Sequence, residues 1–203
     1  MKLYDSRMAP NPRRTRIFLA EKGISVPTEQ VDIMAKQHKT PEYAAINPLQ
    51  RMPALVLDDG TVITESIAIC RYFEALQPEP PLFGVGAKDI AQVEMWNRRC
   101  EIEFFAHVAA VFRHQHPAMK DLEVPQVPAY AEAMRPRATW FLEFMDGELG
   151  KREFVAGDRF SVADITMLCA VDFMKPARLA MPESLSNVKR WHAAVSARPS
   201  ARA

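Results

Sequence analysis

No stretch of the 203-residue sequence approaches the roughly 20 consecutive apolar residues that a membrane-spanning helix needs. Cysteine is scarce: Cys70, Cys100 and Cys169 are odd in number, widely spaced and each set in an apolar helical stretch. That pattern argues against a disulfide framework and against a metal site, and it reads as three buried reduced thiols. Excess charge is lacking as well. With 26 Lys and Arg against 25 Asp and Glu, the net charge is +1, which argues against a nucleic-acid binder held by a broad basic face. There is no internal repeat and no low-complexity tract. The opening Met1-Lys2-Leu3-Tyr4-Asp5 reaches an acidic residue too soon for a signal peptide. What is present is 48% hydrophobic and 25% charged residues, enough apolar material for packed cores and no signature of disorder. The expectation is a soluble cytoplasmic protein split into two domains of roughly 80 and 120 residues.

The first 77 residues alternate strand-like and helix-like segments. Lys2-Leu3-Tyr4 starts a strand, and Pro12 to Lys22 reads as a helix stopped by Gly23. Glu29 to Ile33 alternates as a half-buried strand, and Pro41 to Ala45 makes a short helical turn. Ala54 to Leu57 and Thr61 to Ile63 flank Asp58-Asp59-Gly60 as a hairpin, and Ser66 to Leu76 carries Ile67, Cys70, Phe73 and Leu76 on one helical stripe. The order βαβαββα predicts a thioredoxin-like α+β domain, with the first two strands parallel and the hairpin at an antiparallel edge.

Gln77-Pro78-Glu79-Pro80-Pro81 has three prolines in four residues and reads as an interdomain linker. Beyond it the periodicity is helical only: Asp89 to Gln115, Tyr130 to Leu149, Ser161 to Phe173 and Leu185 to Ala197. Ser161-Val162-Ala163-Asp164 has capping-box form. The expected division is 1–77 for the thioredoxin-like domain, 78–87 for the linker and 88–203 for an all-α helical-bundle domain. The long helix near Asp89 carries more apolar residues than one stripe needs, including Met95, Phe105 and Phe112, and such a surplus suggests an interface.

Two segments carry the strongest functional signal: Asn47-Pro48-Leu49-Gln50-Arg51-Met52-Pro53-Ala54-Leu55 and Thr64-Glu65-Ser66-Ile67-Ala68-Ile69. Their spacing, the entry helix Arg13 to Gly23, and the later pair Phe154-Val155-Ala156-Gly157-Asp158 and Ser161-Val162-Ala163-Asp164-Ile165 together resemble the cytosolic glutathione transferases over nearly the whole chain. The likeness is to an atypical bacterial and fungal type that lacks the usual loop tyrosine, serine or cysteine. It implies that the thioredoxin-like domain binds glutathione as co-substrate, with no other cofactor and no metal, and that the helical domain shapes a site for a small hydrophobic electrophile. It also implies a homodimer with a detoxification role and no nucleic-acid or membrane partner. A glutathione-dependent disulfide reductase and a non-catalytic binding module on the same fold are the alternatives.

Residue by residue, the resemblance makes Met52 the main-chain partner of the cysteinyl part of glutathione, with Pro53 as a cis-proline. An extended peptide is held most easily by strand-edge hydrogen bonds. Glu65 and Ser66 follow a strand and open a helix, where a carboxylate can take the γ-glutamyl ammonium, and a hydroxyl with free N–H groups can take its carboxylate. The alternative is that Ser66 or Thr64 merely caps that helix. Arg51, His38 and Lys39 are candidates for the glycyl carboxylate.

The group that activates the thiol is missing from its expected place, because Ala9 and Pro10 fall where the family has serine and cysteine. Asn11, before Pro12, is expected to be the helix N-cap, with its carbonyl engaged and its amide N–H₂ facing an anion. Ser6 is an alternative. In the atypical subgroup a serine and a histidine on the long helix hold a water; here Ala109 and Arg113 stand at the paired positions, leaving His107 and His114 as candidate bases.

Overall fold

Leu3 and Asp5 face inward along strand β1 (Lys2–Asp5), and the chain turns from there into helix α1 (Pro10–Lys22). Gly23 ends α1 in the left-handed region at φ 65°. Its N–H and that of Ile24 return to the carbonyls of Ala20 and Leu19, as the expected C-terminal stop requires. Strand β2 (Thr28–Gln30) runs parallel to β1. It is shorter than the alternating run to Ile33 suggested, because the Asp32 carboxylate accepts the N–H groups of Met34 and Ala35 at 2.8 and 3.0 Å and starts a turn. Helix α2 (Pro41–Ile46) leads to strand β3 (Ala54–Val56) and strand β4 (Val62–Thr64), and helix α3 (Ser66–Leu76) closes the βαβαββα order. The β3–β4 loop needs Gly60 at φ 84°, with its N–H bonded to the Leu57 carbonyl.

The sheet order is β2-β1-β3-β4, with β3 antiparallel to both of its neighbours. This is the expected thioredoxin-like arrangement. Ile17, Phe18, Ile69, Cys70 and Phe73 bury one face of α1 and α3 together with Leu3 and Leu55.

The computed structural model describes residues 1–203, which divide into two compact units: residues 1–81 with 199–203, and residues 82–198. The division after Pro81 falls within the expected linker 78–87. The proline segment is no free linker, because the fully buried Lys22 ammonium donates to the carbonyls of Gln77, Pro78 and Pro80 at 2.8, 3.0 and 2.6 Å and pairs with Glu74 at 2.5 Å. Leu82 and Phe83 already belong to the core of the second unit. The last five residues, expected with the helical domain, join the first unit: Arg13 donates to the Ala201 carbonyl at 3.0 Å, and Ser200 bonds Glu21.

In the helical unit, α4 (Gly86–Arg99) continues through a widened π turn, Cys100–Phe105, into α5 (Ala106–Gln115). The sequence pattern alone reads this stretch as one uniform helix. Helix α7 (Val162–Phe173) packs against α4, the π turn and α8 (Ser186–Ser196), while α6 (Pro128–Leu149) packs on α5 and α8, and the residues of α7 are buried from Val162 to Val171. The expected capping box at Ser161 is present, and its carboxylate does more than cap. Asp164 accepts from the N–H of Val155 (2.9 Å), the N–H and hydroxyl of Ser161 (3.0 and 3.1 Å) and the Trp191 indole (2.8 Å). No helix is long and apolar enough to cross a membrane. Burial pushes the Asp164 carboxyl up to about 6, against the pull of these four donors.

Asp164→Asn replaces one acceptor with an N–H₂ among donors and should cost about 3 kcal/mol at neutral pH, as measured by urea unfolding. The sign of its pH dependence follows from the raised folded pKa. The native state binds the proton more tightly than the unfolded chain, so the wild-type contribution is greatest below about pH 4 and is lost as pH rises through about 6. The cost of the substitution should therefore grow as pH is lowered from 7 toward 4.5. A cost that shrinks would show that the donors hold the carboxylate ionised.

Candidate functional site

Strand register gathers the expected glutathione residues. Tyr4 pairs with Ala54, and Ala54 pairs with Thr64, so three adjacent strands are aligned at one row. The loop after β1, the Met52–Pro53 segment before β3 and the Glu65–Ser66 start of α3 after β4 therefore all leave the sheet at the same end. Each segment is then set by local bonds.

The Tyr43 hydroxyl and the Asn47 amide both donate to the Arg51 carbonyl at 2.7 Å, which fixes the backbone entering Met52. Burial pushes the Tyr43 hydroxyl up to about 12, so it remains a donor. The Met52–Pro53 bond is cis, and Met52 is buried. Its main-chain N–H and C=O bond nothing else in the chain, which leaves both for an extended peptide.

Glu65 sits at φ 66° and ψ 120°, a backbone conformation that a residue with a side chain adopts at a cost of about 1–3 kcal/mol. It is the residue before α3, and neither its side chain nor that of Ser66 or Thr64 caps the helix. The first intrahelical bond comes from the Ile69 N–H to the Glu65 carbonyl, so the N–H groups of Ser66, Ile67 and Ala68 are left open. Ser66 is buried beside them with its hydroxyl unbonded, while Glu65 is exposed. Open donors, a free hydroxyl and a carboxylate in one turn suit an amino acid's two charges.

Gln37–Lys39 form a short helical turn in which His38 is buried and Lys39 exposed. Burial first, then the positive charges of Lys39 and Arg51, hold the His38 ring below the usual histidine range, so it is neutral at neutral pH. Its Nδ1 is buried without a partner.

Asn11 is not the cap. Helix α1 begins at Pro10, with Ala9 in the capping position and no side-chain cap at all. The carbonyl of Asn11 is nevertheless engaged, because it accepts from Arg14 Nη2 at 2.9 Å, and its amide N–H₂ bonds nothing in the chain. The side-chain oxygen is thus held by Arg14 and not by a capped helix N–H. Ser6 is buried in a turn closed by the Ala9 N–H on its carbonyl at 3.0 Å.

The two histidines lie in the helical unit and differ in chemistry. His107 Nδ1 donates to the Glu103 carbonyl at 2.6 Å, which leaves the Nε2 lone pair free to accept a proton. His114 Nδ1 instead accepts the Val127 N–H at 3.2 Å, which puts the ring proton on Nε2, 3.9 Å from Glu123. In that state His114 has no lone pair for a base.

A cavity of about 350 Å³ within the helical unit was not legible in the sequence. Phe112, His114, His116, Gln126, Arg135 and Pro176 are among its walls, and the ring of Phe112 stacks on His116 at 4.7 Å. Its residues come from the end of α5, the start of α6 and the segment after α7, which no single periodic stretch could reveal.

The family models for the glutathione S-transferase N-terminal and C-terminal domains match residues 1–75 and 99–199. Glutathione S-transferase 2 of Saccharomyces cerevisiae is 35% identical over 203 residues, spanning 98% of this chain and 87% of the relative. The crystal structure of Gtt2 from S. cerevisiae superposes with a TM-score of 0.95 at 35% identity, covering 100% of this chain and 99% of that one. A glutathione S-transferase domain-containing protein from Marinobacter aquaeolei VT8 gives a TM-score of 0.95 at 38% identity, covering 98% and 99%. With the site geometry and both family domains in agreement, the chain belongs to the glutathione S-transferase family and is a transferase.

Proposed function

We propose that the protein binds glutathione at the sheet end formed by Met52, Glu65 and Ser66, stabilises its thiolate at the start of α1, and transfers the sulfur to a small hydrophobic electrophile. The aligned row Tyr4–Ala54–Thr64 carries this reading, because it assembles a peptide edge, an anion-binding helix start and a second helix start in one place. The Met52 main chain pairs with the cysteinyl part, Ser66 and the open α3 donors take the γ-glutamyl carboxylate, and Glu65 takes its ammonium. Arg51 and Lys39, with neutral His38, attract the glycyl carboxylate. At the sulfur, the Asn11 N–H₂ and the α1 dipole favour the charged form. Retention on immobilised glutathione, with turnover of an aryl halide but not of a glutathione mixed disulfide, is the expected result. Disulfide turnover alone would favour the reductase reading, and retention without any turnover the binding-module reading.

We also propose a homodimer. Of the residues whose surplus suggested an interface, Met95 is exposed, Phe105 is buried, and Phe112 packs on Phe173 at 4.8 Å. The helical unit does expose Ile102, Trp140 and Phe144, with Trp140 58% accessible.

Glu65→Ala should weaken glutathione binding by about 2 kcal/mol, roughly thirtyfold in Kd, the scale for removing one member of a desolvated charge pair. Unchanged affinity by calorimetry would relocate the site. Asn11→Asp keeps an acceptor for Arg14 and adds a negative charge to the first turn of α1, which the helix tolerates. The variant should stay folded, while thiolate absorbance shows a raised pKa for bound glutathione and turnover at neutral pH falls. If neither moves, Asn11 does not touch the sulfur. Sedimentation at micromolar concentration should show a species of twice 23.0 kDa, and a monomer there would remove the dimer.

A further inference from the structure

The loop between β1 and α1 has no hydroxyl in the family's usual position, yet its main chain is held from three sides. Asp5, fully buried at the end of β1, has both carboxylate oxygens engaged: Oδ1 accepts from Arg16 Nη1 and Oδ2 from Gln30 Nε2, each at 2.6 Å. The Arg16 fork goes further, with Nη2 donating to the Arg7 carbonyl at 3.2 Å and Nη1 lying 3.5 Å from the Ser6 carbonyl. Gln30 Oε1 accepts the Arg7 N–H at 3.2 Å. The Arg7 main chain is thereby bonded on its N–H side to the end of β2 and on its carbonyl side to the second turn of α1. Two residues later Ala9 takes the capping position of α1, next to Pro10 and Asn11.

We propose that Arg16 is a positioning residue of the transferase site: braced by Asp5 and Gln30, it fixes the Ser6–Arg7 main chain and so sets where the first turn of α1 presents its donors. The proposal rests on the reading that the glutathione thiol lies at that turn. A largely buried ion pair is weak evidence for stability, and Arg16 leaves its Nε buried without a partner, which an apolar side chain would avoid. What an apolar pair or a lysine cannot supply is a planar fork that meets a carboxylate and a neighbouring carbonyl at once. With that fork in place, the loop cannot drift without breaking charge-assisted bonds, and donors to a thiolate stabilise it only when they are already aimed.

Arg16→Lys retains a cation for Asp5 and removes the fork. Glutathione affinity, governed by Glu65 and Ser66, should stay within about threefold, because the sheet end that holds them is untouched. The pKa of the bound thiol should rise by about one unit, and kcat at neutral pH should fall about tenfold with it. Gln30→Ala, on an exposed edge strand, should fold normally and shift both readouts the same way by less. It decides the question if Arg16→Lys does not fold. A lowered melting temperature with unchanged thiol pKa and kcat in both variants would make the brace structural only and overturn the proposal. So would loss of glutathione affinity in step with kcat. If the wild-type protein itself leaves the bound thiol at its solution pKa, the reading of the thiolate site fails, and the positioning role falls with it.

Discussion

The placement of β3 between β1 and β4 is the constraint on which the site depends. Antiparallel pairing on both sides aligns Tyr4, Ala54 and Thr64 in one row, so a strand exit, a strand entry and a second strand exit open at the same end of the sheet. A slip of one residue would turn buried Leu55 outward and carry Met52 away from Ser66. The burial of Leu3, Ala54 and Leu55 specifies the register, and the register places the polar groups. The polar groups themselves contribute little to folding. Open N–H donors at α3 and the unusual backbone of Glu65 work against stability locally, and the apolar core behind them holds them in place.

The helical unit is organised around a different constraint. Helix α7 is apolar nearly all round and therefore buried nearly all round. A helix in that situation needs its first turn satisfied from within, since water has no access. The first N–H groups of α7 are met by the Leu82 carbonyl (Val162, 2.9 Å) and the Ser161 hydroxyl (Ala163, 3.3 Å). Asp164 accepts four donors from Val155, Ser161 and Trp191, so a single carboxylate ties the start of α7 to the preceding loop and to α8. The Thr166 hydroxyl adds a buried bond to the side-chain Oδ1 of Asn97 in α4 at 2.7 Å.

Elements with local causes were legible in the sequence. Gly23 stops α1, Gly60 turns the hairpin and Ser161 opens α7, each by backbone rules that act within a few residues. The start of α1 was misread for an equally local reason. Pro10 and Pro12 both lack an N–H and both suit the first turn, so spacing alone could not choose between them, and the helix takes the earlier one. Long-range partners were not legible. Nothing near Lys22 in sequence announces that its ammonium collects three carbonyls around the proline segment, and nothing near Arg13 announces Ala201. The same limit explains the site. Met52, Glu65 and Ser66 sit in recognisable local motifs, whereas the Arg14–Asn11 and Arg16–Asp5–Gln30 bonds had to be seen in three dimensions.

Those bonds bear on how strongly a thiolate could be favoured here. The start of α1 is rich in arginine, and a guanidinium against the sulfur would be the strongest way to lower its pKa. Guanidinium bonds run elsewhere: from Arg14 to the side-chain Oδ1 of Asn11, from Arg16 to Asp5 and the loop, and from Arg13 to the main-chain carbonyl of Ala201. Arg16 is also neutralised by a carboxylate at 2.6 Å. The chain thus uses these cations to hold main chain and amide in place, and under the proposed reading neutral donors would meet the anion. Neutral donors at a helix start stabilise charge through alignment, each bond worth less than an ion pair but requiring no desolvated cation. Such a site loses its effect through misalignment more readily than through loss of charge, so the precision of the β1–α1 loop matters as much as the identity of the residue that faces the sulfur.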